Sequence, residues 1–98
     1  MSVDPPPPIL QHVPFPSKLE LSDDANRKKD WQLFRQIWEN YEISSQLKDH
    51  PKEKRTATLL TCFQPSALQV YNSLSFTNDN EKYDIDVVLT KCLNFVMG

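Results

Sequence analysis

A chain of 98 residues has material for one small domain, because a single core needs on the order of 100 residues to bury about two-thirds of its unfolded surface. Its 11 Lys and Arg against 13 Asp and Glu leave a formal net charge of -2, which excludes a strongly basic phosphate-binding body and an acidic tail. Uninterrupted aliphatic runs stop at three residues, as in Val87, Val88 and Leu89, where a bilayer span takes about 20. No membrane partner is expected, and no basic stretch leading into an apolar one marks a secretory leader.

Six of the eight prolines fall within the first 16 residues. Proline fixes its own backbone angle, lacks an amide donor and pushes the preceding residue toward extended geometry. Residues 1–22 are therefore expected to form an extended proline-rich arm, and 23–98 a helical domain. Past Asp23 only Pro51 and Pro65 interrupt the chain, each where a helix begins.

The first helix is predicted to start at Asp23 or Asp24, whose carboxylates accept from the free amides of a first turn. At 100° per residue Trp31, Phe34, Ile37, Trp38 and Tyr41 fall within about 120°, the width of a core-facing stripe. Lys28, Arg35, Glu39 and other polar residues occupy the opposite side. A polar turn with Ser44, Ser45, Asp49 and His50 follows, with Ile43 and Leu47 holding a partial turn against the body. Pro51 suits a first helical position, and Ala57, Leu59, Leu60, Cys62 and Phe63 then cover much of the circumference, as in a central helix. Ser66 opens a short helix with Ala67, Val70, Tyr71 and Leu74 on one face. Residues 75–83 read as a loop with Phe76 as an apolar plug. Asp84 caps the last helix, Tyr83 packs on Val88 as a hydrophobic staple, and Ile85, Val88, Leu89, Cys92, Phe95 and Val96 form its apolar stripe. That helix runs to the final residue, so the chain is expected to continue. The expected architecture is all-α: a small bundle of about five short helices behind an extended arm. Its core is Trp31, Phe34, Trp38, Tyr41, Leu60, Phe63, Tyr71, Leu74, Val88, Leu89 and Phe95.

Little in the sequence points to reaction chemistry. Cys62 and Cys92 stand 30 positions apart with neither His12 nor His50 at ligand spacing, so no metal and no cofactor is expected. Both cysteines fall on apolar faces, which reads as structural burial in a reducing, cytoplasmic compartment rather than as a nucleophile or a disulfide framework. Asp84 and Asp86 point roughly 200° apart on a helix start, the wrong arrangement for carboxylates sharing a proton. With Gly98 the single glycine, a phosphate-cradling loop is excluded. No enzymatic activity is expected. The aromatic stripe must be buried for its helix to persist, which outweighs base stacking. Lys48, Lys52, Lys54 and Arg55 are interleaved with Asp49 and Glu53, as on a solvated face. Pro5 to Pro8 is either a spacer or a ligand for an aromatic groove on another protein.

The stretches LELSDDANRKKDWQLFRQIWENYEIS, KRTATLLTCFQPSALQVYNSLSF and YDIDVVLTKCLNFVMG, in that order, make the chain resemble the Gag polyprotein of gypsy-type LTR retrotransposons and its domesticated relatives. The resemblance covers about residues 17–98. It rests on large aromatics on the first helix (Trp31, Phe34, Trp38, Tyr41), a leucine-rich segment leading to a Tyr-Asn pair (Leu59, Leu60, Tyr71, Asn72), and an acidic helix start followed by Leu and an aromatic (Asp84, Asp86, Leu89, Phe95).

The resemblance implies a helical capsid amino-terminal domain that self-associates into particles around the element's RNA. The expected partners are copies of itself, through an assembly surface that includes Lys28, Arg35 and Glu39. No Cys-rich knuckle or protease motif is present in these residues, so direct nucleic-acid binding is not expected of them. One departure is Gln64, where such sequences commonly have glycine between central helices. Two other classes stand beside this reading. One is a domesticated adaptor that binds a host protein, through the proline arm, without forming particles. The other is a helical nucleic-acid module, disfavoured by the balanced charge.

Overall fold

A computed structural model describes residues 15–21 and 24–98. The proline run Pro5–Pro8 and the candidate cap Asp23 lie outside the described residues. The described chain is mostly helical, with four α-helices. They are α1 (Arg27–Ser44), α2 (Lys52–Thr61), α3 (Pro65–Ser73) and α4 (Ile85–Met97), with 3₁₀ turns at Leu47–Asp49 and Asp79–Tyr83. That is one α-helix fewer than the about five expected from the sequence: the partial turn expected around Leu47 is only a three-residue 3₁₀ turn. The second 3₁₀ turn lies where a loop is predicted: the Asn78 side chain accepts from the Glu81 amide at 3.2 Å and closes the turn.

α1 starts later than either aspartate. Its N-cap is Asn26, whose side chain makes no capping bond, while Asp24 pairs with the Arg27 guanidinium instead. The helix persists because Trp31, Phe34 and Trp38 are buried, with Trp38 0% exposed. Burial of such a stripe, not propensity, supplies most of a helix's stability. At its end the chain reverses through Gln46, the one non-glycine residue with positive φ among the described residues, at 62°. The Ser45 hydroxyl donates to the Tyr41 carbonyl at 2.6 Å and accepts from the Leu47 amide at 3.3 Å, which holds this left-handed residue in place.

α2 buries Thr56 and Leu59. Ala57, placed on the covered side by sequence, is exposed. Gln64, with φ of -75°, is ordinary extended backbone, so the turn there has no need of glycine. Pro65 then starts α3 at its first position, where a missing amide costs nothing. Asp84 caps α4, accepting from the amides of Asp86 and Val87 at 3.1 and 3.4 Å.

The buried face of α4 is Ile85, Val88, Cys92 and Val96. Phe95, expected in the core, is 39% exposed: it stands beside that face, with the Arg27 guanidinium 5.1 Å above its ring. Tyr83, expected to pack on Val88, lies in the second 3₁₀ turn and is 45% exposed.

Residues 15–21, assigned by sequence to the arm, pack into the body. Leu19 donates to the Cys62 carbonyl at 2.8 Å and accepts from the Gln64 amide at 2.9 Å, a parallel bridge to Phe63. The Leu21 amide donates to Ser66 Oγ at 2.9 Å. With both ladder positions satisfied, Leu19 and Leu21 bury their side chains in the common core, which offsets the entropy of ordering the segment. Among the described residues no helix is long and apolar enough to cross a membrane.

Candidate functional site

Once the stripe is inside, α1 has two exposed flanks, and these are the surfaces on which function can be placed. Trp31, Phe34, Trp38, Phe63 and Val88 are buried, and Tyr41, Leu60, Tyr71, Leu74 and Leu89 are half-buried against them. The rings form one contiguous cluster: Trp31 is tilted on Phe34 at 6.3 Å, Phe34 is stacked on Trp38 at 6.4 Å, Trp38 is tilted on Tyr41 at 5.8 Å, and Phe63 stands edge-on to Phe34 at 6.1 Å. None of these faces is free to stack a base.

One flank of α1 faces residues 15–20. Phe15 stands edge-on to Tyr41 at 5.5 Å, and two depressions of 470 and 420 Å³, both lined by Ser17 and Ile37, lie on this side. Ser17 to Glu20 form one wall, and Leu33 and Ile37 the other. Leu33 is 56% exposed there. The amides and carbonyls of Lys18 and Glu20 have no backbone partner among the described residues, so the outer edge of the segment is open.

The other flank faces α4. Here Lys28 and Glu39 are exposed, and Arg35 lies 3.6 Å from Glu39. A smaller depression of 310 Å³ lies between this row and Leu89, Thr90 and Leu93. The structure thus puts all three predicted surface charges on one flank, alongside an apolar stripe of α4 that sequence reasoning did not connect to them.

Two charge clusters bridge separate elements of the bundle. Arg55 of α2 donates to Glu42 of α1 through Nε at 2.6 Å and its second nitrogen at 3.0 Å. Both side chains are largely buried, and the bond to Glu42 holds the Arg55 guanidinium above its usual range. Lys52 sits 3.3 Å from Asp86 and 3.5 Å from Asp84, and its ammonium is likewise raised, first by the bond to Asp86. The two aspartates therefore converge on one lysine, although their backbone positions diverge. Burial pushes the Cys62 thiol up to about 11 and the Cys92 thiol up to about 12, so neither is a thiolate nucleophile near neutral pH. Tyr71 is raised mainly by burial, and its hydroxyl donates to the Lys82 carbonyl at 2.7 Å. No group of three or more His, Cys, Asp or Glu among the described residues is placed to hold a metal ion.

Sequence reasoning missed Leu19, Leu21, Glu42 and Thr56 as buried residues. The alternation Leu19-Glu20-Leu21 carries a period-two signal, but the six prolines within the first 16 residues favour reading it as part of an extended arm. No family model, curated protein or solved structure matches the chain.

Proposed function

We propose that the chain is a structural, Gag-like capsid amino-terminal domain that associates with copies of itself to build a particle around RNA. The observation that carries this reading is the outer flank of α1, where Lys28, Arg35 and Glu39 stand beside an exposed apolar stripe of α4. The ordered resemblance of residues 17–98 to gypsy-type Gag supplies the setting. A small rigid body with near-balanced charge suits a crowded lattice, since strongly like-charged subunits repel. Lateral contacts that are weak singly become strong when each subunit closes several at once. The domain's part is positioning, and RNA capture falls to other residues. Electron microscopy of the product of the complete reading frame tests the reading. Closed particles are expected, and their loss when Lys28 and Arg35 are both changed to Glu; dispersed protein in the unmodified product overturns it.

The groove between residues 17–20 and α1 favours a second reading, an adaptor that binds a host protein without forming particles. An open strand edge above exposed Leu33 and half-buried Ile37 suits an extended apolar segment, which pairs by its backbone and seats alternate side chains. NMR titration with short apolar extended peptides separates the two readings. Shifts confined to Ser17–Glu20, Leu33 and Ile37 support the adaptor, and an unchanged spectrum removes it.

A further inference from the structure

The flank of α1 turned toward α4 is complementary to itself. Lys28, Gln32, Arg35 and Glu39 share one face of α1, because residues three, four and seven apart lie in a row. A cation stands at the amino-terminal end of that row and an anion at the other. Lys28 pairs with no carboxylate among the described residues, and Glu39 has only the loose contact to Arg35 at 3.6 Å. Beside the row, α4 presents Leu89, Leu93 and Met97 at four-residue spacing, with Leu93 42% and Met97 46% exposed. Arg27, at the start of α1, covers Phe95 near the end of α4, and Trp31 and Arg35 flank the same depression as Leu89 and Leu93. The two helices therefore run antiparallel along this face.

We infer that this face pairs with the same face of a second copy of the chain, about a two-fold axis lying in the contact plane and crossing both helices at the level of the depression. Such an axis lays α1 antiparallel on the second copy's α1, and α4 antiparallel on its α4. The midpoint between Lys28 and Glu39 falls between Leu33 and Phe34, level with the depression, so each Lys28 meets the Glu39 of the other copy. The same axis brings Leu89 and Leu93 of the two copies together and removes them from water. Charge complementarity selects this occupant: a row with opposite charges at its two ends matches its own reverse and mismatches a surface of one sign.

Area sets the strength. Three partly exposed side chains lie far below the roughly 800 Å² per partner of a stable standard interface. Pairing is therefore weak in dilute solution and reinforced where many copies are held together. The inference takes its setting from the capsid reading, but the pairing is measurable on this chain alone.

Sedimentation equilibrium of the chain, from dilute to near-millimolar concentration, reads the pairing constant, with circular dichroism and urea midpoints verifying that each variant is folded. Lys28→Glu and Glu39→Lys each place two like-charge contacts in the pair and are expected to weaken it about tenfold. The double variant Lys28→Glu with Glu39→Lys restores opposite charges and returns it to within about threefold of the parent, as expected for coupled sites. Leu93→Glu abolishes pairing through the apolar centre. Single variants that pair like the parent, a double variant as weak as the singles, or a parent that stays monomeric throughout overturn the inference. If particles form from the complete product while any of those results holds, the face is wrong and the capsid reading stands. Charge rescue without particles leaves the face in place and removes the shell.

Discussion

Replacing Trp38 tests the packing argument at its centre. The side chain is fully buried, stacked on Phe34 at 6.4 Å and tilted against Tyr41 at 5.8 Å. Truncation to Ala forfeits the transfer energy of the indole and leaves a cavity, together about 3 to 5 kcal/mol. A domain of this size has about 5 to 15 kcal/mol in all, so Trp38→Ala is expected to take a large share of the total. With a urea slope near 1.5 kcal/mol per molar, the midpoint falls by about 2 to 3 M. The indole Nε1 is buried without a hydrogen-bond partner among the described residues, so Trp38→Phe gives up volume but no hydrogen bond. It is expected to cost less than half as much as Trp38→Ala. Urea titration followed by far-UV circular dichroism measures both variants. A Trp38→Ala midpoint matching the parent refutes burial of the stripe, and equal losses for Phe and Ala refute the unpartnered nitrogen.

Three further outcomes follow from the charges, the turn and the thiols. Removing one partner of the buried Glu42–Arg55 pair, as in Arg55→Met, leaves a carboxylate uncompensated and is expected to cost about 3 to 5 kcal/mol by urea titration, whereas Glu42→Leu with Arg55→Met is near neutral. Equal losses in the single and double variants contradict this. Gln46→Gly relieves a left-handed residue at φ 62° and is expected to stabilise the fold by roughly 1 kcal/mol, raising the thermal midpoint by about 4 to 8 °C; an unchanged or lowered midpoint shows that the Gln46 side chain carries contacts of its own. Cys62 and Cys92 titrate in the fold at about 11 and about 12, above the ordinary 9.0. The unfolded chain therefore loses these protons first, so their stabilisation is complete below about pH 9 and declines as pH rises toward the folded values. Changing both cysteines to Ala is expected to flatten the fall of the urea midpoint between pH 9 and 11, and an equally steep fall assigns the loss to other groups.

The helical plan was legible because four apolar periods carry it: Trp31–Phe34–Trp38, Leu59–Phe63, Ala67–Val70 and Ile85–Val88–Cys92 are core residues at helical spacing. Asp84 was legible as a cap because a carboxylate immediately ahead of an apolar period has few other roles. Asp24 is not one: the helix starts three residues further on, at Arg27, and the Asp24 carboxylate pairs with that residue's guanidinium. Phe95 shows the limit of periodicity, which places a residue within an arc but not on the side where a neighbouring helix lies. The burial of Leu19 and Leu21 depends on a bridge to Phe63, 44 residues from Leu19, and no local pattern encodes that pairing. The Glu42–Arg55 pair is long-range in the same way. On the candidate surface, Lys28, Arg35 and Glu39 were readable as exposed, but their apolar neighbour came from α4, and only the antiparallel docking of α4 on α1 brings the two together.

Trp31 and Trp38 are the two tryptophans of the chain, and both lie inside the stripe, so all indole emission reports on the core from which both flanks of α1 take their shape. Fluorescence with acrylamide quenching in plain buffer is the most direct measurement. The account predicts blue-shifted emission and weak quenching, both lost together with helical circular dichroism as urea unfolds the chain. Emission and quenching in buffer equal to those of the urea-unfolded chain contradict it.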